Sequence, residues 1–228
     1  MSDPYLKKLI TWSGSLWIST FGLGWLICLW LPTFSPNLSA NELADLYKEN
    51  HLPWLLGGVI MSFSAIFVAP LGAAFTLLIE VIEKKFGPLS IIMVITMATG
   101  AMNICLSGIF WAAAAFRPER SPEALQAISD IGMLFFFGGI SAFIGLFAAL
   151  AYASLKMCDP EDPVIPRWYG YLCLWTTIIL IPDLMVFFFK TGPFAWDGVV
   201  GLWVPLVLFV LVFNLTPSAL KKSIEKHL

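Results

Sequence analysis

Charged residues are scarce in this chain of 228 residues: Asp, Glu, Lys and Arg make up 12% of it, whereas 59% is apolar. Soluble domains carry about 25% charged residues, and so few charges do not cover the surface of a soluble globule of this length. The formal net charge of −2 leaves no broad basic face, so no nucleic-acid partner is expected. The composition therefore predicts a protein whose solvent is the lipid bilayer.

Histidine and closely spaced cysteine are also nearly missing. The two histidines, His51 and His227, lie outside the long apolar runs. Haem, di-iron and intramembrane copper or zinc sites need imidazole ligands within or beside the helices. The four cysteines form no CxxC motif and are expected to be buried apolar side chains. We therefore expect no metal site and no cofactor.

Long apolar runs dominate what is present. Crossing the hydrocarbon core takes about 20 residues of helix, and none of the runs alternates between polar and apolar residues as a barrel strand does. The predicted fold class is therefore all-α: a polytopic membrane protein whose single transmembrane domain, residues 1–228, is a six-transmembrane-helix bundle. The predicted spans are approximately residues 9–31, 54–80, 88–115, 131–155, 168–189 and 199–216.

Basic residues and cap motifs predict the orientation and the loops. With the N-terminus inside, nine Lys and Arg fall in inner segments and four in outer ones, which favours an N-in/C-in topology. Ser39 and Glu42 form a capping-box pattern, typical of the start of a helix, here a short amphipathic helix on the outer surface. Ser121 and Pro122 suit the N-cap and first position of another outer helix.

Asp183 is the most informative polar residue in the predicted spans. It lies beside Pro182, which frees a backbone carbonyl and can kink a helix. A charge within the bilayer costs several kcal/mol unless it is paired or neutralised. Asp183 is therefore the first candidate for a functional residue. Lys190 follows seven residues later, on the same face of the predicted helix. At about 1.5 Å per residue, Asn103 reaches a similar depth, and Asp130 enters the fourth span from outside.

These polar residues predict an outward-facing pocket within the bundle. Two deeper tryptophans are candidates for its wall. The alternative is a hydrogen-bonded lock between helices that binds no ligand, and the sequence does not separate the two. The predicted pocket residues are Asn103, Asp130, Asp183, Lys190, Trp111 and Trp175.

A stripe of small residues in the fourth predicted span indicates close helix packing. Ser141, Gly145, Ala149 and Ala153 recur every four residues, a spacing that lets two helix backbones approach. The partner helix is expected within the same chain. The alternative is a homo-oligomer or a partner subunit that contacts the same stripe.

Three stretches together carry a family resemblance: LSANELA at 38–44 with Tyr47, FWAAAAFRPER at 110–120, and PRWYGY at 166–171 followed by FFKTGPFAWDG at 188–198. With these motifs the chain resembles a group of small integral membrane proteins of actinobacteria and proteobacteria. The resemblance covers nearly the whole chain. It implies six membrane helices and a location in the bacterial inner (cytoplasmic) membrane, and it implies no catalytic activity.

Three functions are compatible with these patterns. The favoured hypothesis is binding or transport of a lipophilic small molecule or lipid in an outer-leaflet pocket, with membrane lipids as further partners. The second is a cofactor-independent membrane enzyme, an acid–base isomerase or cyclase of a lipid-like substrate with Asp183 as its catalytic acid. The third is an accessory subunit whose helices contact a larger membrane complex.

Overall fold

A computed structural model describes residues 3–228, and every regular element in that range is helical. The all-α prediction is thus confirmed. Short 3₁₀ or π segments interrupt or extend several of the helices, at Ala65–Phe67, Ala153–Met157, Ile181–Phe187 and Val199–Trp203. The α-helices are α1 Pro4–Ile27, α2 Ala40–Glu49, α3 His51–Ser64, α4 Val68–Glu83, α5 Pro88–Phe116, α6 Pro122–Gly138, α7 Ile140–Tyr152, α8 Arg167–Leu180 and α9 Val204–His227.

Within the described range, five continuous helical stretches are long and apolar enough to cross a membrane, which indicates a membrane protein. They coincide with five of the six predicted spans. The first predicted span, residues 9–31, falls mainly on α1, a helix of 24 residues whose interspersed Ser, Thr and Gly residues dilute its apolar character. The five stretches are His51–Glu83, Pro88–Phe116, Pro122–Met157, Arg167–Phe187 and Val199–His227.

Proline changes the helix type around Asp183. The α-helix ends at Leu180, and the chain continues as the 3₁₀ segment Ile181–Phe187, because Pro182 lacks the N–H that an α-helical turn needs. The distortion expected at Pro182 is confirmed. The prediction that Lys190 shares a helix face with Asp183 is wrong, because no helix reaches Lys190, which lies exposed in the turn that follows.

Glycines bring several helices into close contact. A Cβ atom on Gly58 of α3 would lie 2.8 Å from the backbone nitrogen of Ala112 in α5, and one on Gly14 of α1 would lie 3.1 Å from the carbonyl oxygen of Phe213 in α9. Part of the small-residue stripe packs against another helix of the same chain. A Cβ atom on Gly145 would lie 3.2 Å from the side chain of Thr96 in α5. Further along the stripe, Ala149 and Ala153 are buried, whereas Ser141 is exposed.

The amphipathic helix predicted after the first span is present as α2. Its capping box is complete, with Ser39 and Glu42 each bonding the other's backbone N–H. Tyr47 anchors α2, because its ring packs against Trp54 at 4.5 Å and its hydroxyl donates to Ser129 Oγ at 3.0 Å. Burial raises the pKa of Tyr47 well above its usual value, so its hydroxyl stays protonated and keeps donating.

The second cap motif is confirmed in part. Helix α6 begins at Pro122 with Ser121 as its N-cap residue, although the Ser121 side chain makes no capping hydrogen bond. From Pro122 the helical stretch continues to Met157. It is interrupted only around Gly139, where α6 gives way to α7.

Candidate functional site

A cavity of about 290 Å³ lies between the C-terminal half of α1 and the N-terminal half of α9. The middle of α5, the junction of α6 with α7 and the 3₁₀ segment complete its wall. All of its lining residues are apolar except Asn103 and Asp183. The lining residues are Trp17, Ile18, Phe21, Gly22, Trp25, Leu26, Leu31, Asn103, Ile104, Phe136, Phe137, Ile140, Phe143, Asp183, Leu202, Pro205, Leu206, Phe209 and Val210.

Stacked aromatic rings form part of the wall of this cavity. Trp17 lies parallel to Phe143, with ring centroids 5.4 Å apart and an interplanar angle of 11°. Phe21 stacks on Phe136 with the same distance and angle, and Trp25 lies 5.9 Å from Phe136. Such pairs add about 0.5–1.5 kcal/mol each beyond the apolar area they bury. These contacts therefore stabilise the arrangement of the rings around the cavity.

The cavity reaches the side of the bundle between α1 and α9. The two helices contact each other where Gly14 meets Phe213. Nearer the cavity, its lining residues Leu26 of α1 and Val210 of α9 are 59% and 41% exposed. Between these levels, Gly22 leaves open space, because a Cβ atom there would meet nothing within 4 Å. The rim is apolar, so it matches the hydrocarbon region of a bilayer.

Asp183 is the unusual group in this wall. Its side chain is 1% exposed, and neither carboxyl oxygen has a hydrogen-bond partner within residues 3–228. Of the described residues, no Lys, Arg or His lines the cavity. Buried polar groups are normally hydrogen-bonded, and an exception points to a functional position. The carboxyl of Asp183 therefore has its full bonding capacity left for a guest in the cavity.

Asn103 is bonded, in contrast. Its Nδ2 donates to the carbonyl oxygen of Phe135 at 2.5 Å and lies 3.5 Å from that of Phe136. Both carbonyls belong to the last turn of α6, which ends at Gly138, and the carbonyl of Phe135 also accepts from the N–H of Gly139 at 2.9 Å. Asn103 thus acts as a lock between α5 and the end of α6, one of the two roles predicted for it, while also lining the cavity.

Neither predicted wall tryptophan lines the cavity. Trp111 is fully buried in a neighbouring aromatic cluster, 5.2 Å from Trp30 and 5.5 Å from Phe136, measured between ring centroids. Trp175 is 60% exposed on α8. Hydrophobicity and position along a helix do not tell the inner face from the lipid-facing one, because both faces of a membrane helix are apolar.

Asp130 and Lys190 also lie outside the cavity wall. Asp130 is partly buried on α6 and Lys190 is exposed. No ion pair within 4.0 Å joins Asp130 to Lys190. Of the six predicted pocket residues, the structure places Asn103 and Asp183 at one cavity and leaves the other four elsewhere.

The contribution of α1 to the cavity is the feature that sequence reasoning missed. Trp17, Phe21 and Trp25 line one wall, and their spacing of four residues puts them on one helix face. That repeat is a readable signal in the sequence. The indole nitrogens of Trp17 and Trp25 are buried without an acceptor in the described part of the chain, so the wall also offers unused donors.

The described residues contain no cluster of three or more His, Cys, Asp or Glu side chains that could hold a metal ion. No family model, no curated protein and no solved structure matches the chain. The function is therefore inferred from the cavity and the groups that line it.

Proposed function

We propose that this protein is an integral membrane protein that binds or transports a lipophilic small molecule, or part of a lipid, in the cavity between α1 and α9. The observation that supports this proposal is an apolar cavity of about 290 Å³ with aromatic walls and an exposed apolar rim. Ligand pockets typically measure about 300–1,000 Å³. The volume suits a compact lipophile or a section of one acyl chain.

The proposed topology has six spans, with both termini in the cytoplasm of a bacterium and the helices in its inner membrane. Helix α1 has 24 residues and is therefore about 36 Å long, longer than the hydrocarbon core of about 30 Å. The excess of Lys and Arg in the inner segments supports this orientation. In this arrangement the cavity lies in the outer half of the bundle.

Reporter fusions test the topology directly. A reporter that is active only in the cytoplasm is fused to the N-terminus and, in a second protein, to the C-terminus. Six spans predict activity at both ends. Activity at only one end indicates an odd number of crossings and overturns the proposal that α1 spans the membrane.

Ligand binding is tested with a neutral fluorescent naphthylamine probe and a variant that fills the cavity. Gly22→Phe introduces a ring where a Cβ has open space, so it occupies the cavity without displacing backbone. We expect at least a tenfold loss of probe affinity. Leu23→Phe is the matched control, because Leu23 is 52% exposed and does not line the cavity. Equal affinity for the two variants contradicts binding in this cavity.

The unpartnered carboxyl of Asp183 favours a second candidate, a cofactor-independent isomerase or cyclase acting on a lipid-like substrate. A protonated Asp183 would donate to the bound molecule, and the apolar wall would exclude water. Mass spectrometry of molecules that copurify with the protein supplies the candidate substrate. Turnover lost in Asp183→Asn while binding remains supports the enzyme, whereas unchanged molecules in wild-type protein support binding alone.

A further inference from the structure

We propose that the cavity selects a lipophilic cation, an ammonium group carried on an apolar body, and that the carboxylate of Asp183 pairs with it. This inference rests on the proposed binding function, because it names the class of ligand that the same cavity takes. Two independent features of the wall carry it: a buried acid with no partner, and a set of aromatic residues around the space.

An ionised Asp183 has no counter-charge in the cavity wall that the described residues form. Asp183 is 1% exposed, both of its oxygens are unbonded, and the wall contains no basic residue. Removing a carboxylate from water is expensive unless a counter-charge and hydrogen bonds replace the water. A neutral hydrocarbon leaves the carboxyl unpaired and an anion repels it, whereas an ammonium supplies the missing charge.

The aromatic residues of the wall favour the same ligand. Indole and phenyl rings attract cations through the negative potential of their faces, and several rings around one space form the aromatic cage that recognises ammonium groups. The wall includes six such residues from three parts of the fold. They are Trp17, Phe21, Trp25, Phe136, Phe143 and Phe209.

An isosteric pair of probes isolates the charge. Benzyltrimethylammonium and neopentylbenzene have the same shape, but a quaternary nitrogen in the first replaces a carbon in the second. Both are titrated against the full chain in zwitterionic lipid nanodiscs, with tryptophan fluorescence as the readout. The ratio of their two affinities is compared between variants in the same lipid, so that the different membrane partitioning of the two probes cancels.

Asp183→Asn is the principal variant, because it keeps the shape of the side chain and removes the charge. We expect the affinity ratio of cation to hydrocarbon to fall at least tenfold. Asp130→Asn is the control, since Asp130 is a partly buried acid that does not line the cavity, and we expect it to leave the ratio within about twofold. Phe136→Leu, a second variant, keeps apolar volume but removes an aromatic ring from the wall and should lower the ratio at least threefold.

The outcomes separate this inference from the binding function on which it rests. If Asp183→Asn leaves the ratio unchanged while both probes still lose affinity in Gly22→Phe, the cavity binds lipophiles and the cation inference is overturned. If neither probe binds the wild-type protein, the proposed function itself fails. If Asp183→Asn does not fold, the Phe136→Leu ratio decides, and an unchanged ratio there overturns the inference.

Discussion

At the scale of single residues, the two polar side chains of the cavity wall differ in how their bonding capacity is used. Asn103 donates to the end of α6, whereas Asp183 bonds to nothing within residues 3–228. The first arrangement stabilises the fold, and the second costs stability that a ligand can restore. The difference leads to opposite expectations for replacing each residue with an apolar one of similar size.

Asp183→Leu is expected to stabilise the ligand-free protein. Leaving a buried polar group without a partner costs about 1–3 kcal/mol in protein mutational data, and an apolar side chain removes that cost. The free energy of unfolding, measured in detergent, should rise by about that amount. Asp130→Leu is the control and should give a smaller gain, because Asp130 is only partly buried and its carboxyl bears less of that cost. A loss of stability in Asp183→Leu would show that the carboxyl has a structural partner.

Asn103→Leu is expected to destabilise the protein. The substitution removes the amide that bonds the carbonyl of Phe135 at 2.5 Å. That carbonyl keeps its bond from the N–H of Gly139, so the expected loss is that of one hydrogen bond, about 0.5–1.5 kcal/mol. The free energy of unfolding, measured in the same detergent, gives the size of this loss. Asn214→Leu serves as the comparison, because Asn214 is exposed and its amide bonds within its own helix. Equal effects of the two substitutions would argue against the lock.

At the scale of helices, close packing depends on glycines whose surroundings differ sharply. Gly58 lies where α3 and α5 come together, and a Cβ there would meet the backbone of Ala112 at 2.8 Å and of Gly108 at 3.0 Å. Gly22 lies on α1 beside empty space. The same substitution, glycine to alanine, therefore tests helix approach at one position and helix propensity at the other.

Gly58→Ala should destabilise the bundle by about 1–3 kcal/mol, the usual cost of overpacking, because backbone atoms cannot rotate away from the new methyl group. Gly22→Ala should instead stabilise it by about 0.5–1 kcal/mol, since alanine loses less conformational freedom in a helix. The thermal unfolding midpoints of the two variants, measured beside wild type, should therefore shift in opposite directions. An unchanged stability of Gly58→Ala would contradict the close approach of α3 and α5 at this position.

The elements predictable from sequence were those with local signals. The capping box at Ser39 predicts α2, Pro122 predicts the start of α6, and Pro182 predicts the change of helix type. Local signals do not show which face of a membrane helix is turned to the protein interior, because lipid and protein interior are both apolar. For this reason the sequence predicts Trp175 in the cavity wall although its side chain is exposed, and it does not predict the wall that α1 forms.

At the scale of the whole molecule, the end of the chain is fastened to the loop between α7 and α8. Lys226, near the end of α9, forms an ion pair with Asp162, and Ser223 Oγ donates to the carbonyl of Val164 at 2.5 Å. The hydrogen bond and charge of Lys226 hold the pKa of Asp162 below its usual value. The pair therefore couples the position of α9, which lines the cavity, to a surface loop.

This coupling predicts a pH dependence with a defined sign. Because the folded state lowers the pKa of Asp162, its stabilising contribution is present above the unfolded pKa of about 3.9 and disappears as the pH falls through the folded value. The unfolding midpoint of wild type should exceed that of Asp162→Asn at pH 6, and the difference should vanish in strong acid. High salt should also reduce it. A difference that is constant with pH contradicts the coupling.

The exposed rim between Leu26 and Val210 makes the concentration of a guest in the membrane, and not in water, the quantity that matters for binding. In the proposed topology a guest arrives by lateral diffusion through the hydrocarbon phase, not from the aqueous phase. Occupancy then follows the mole fraction of the guest among the lipids, so a compound that is dilute in water but strongly partitioned saturates the site. The bilayer acts as the reservoir, and its composition tunes the protein as directly as any substitution in the wall.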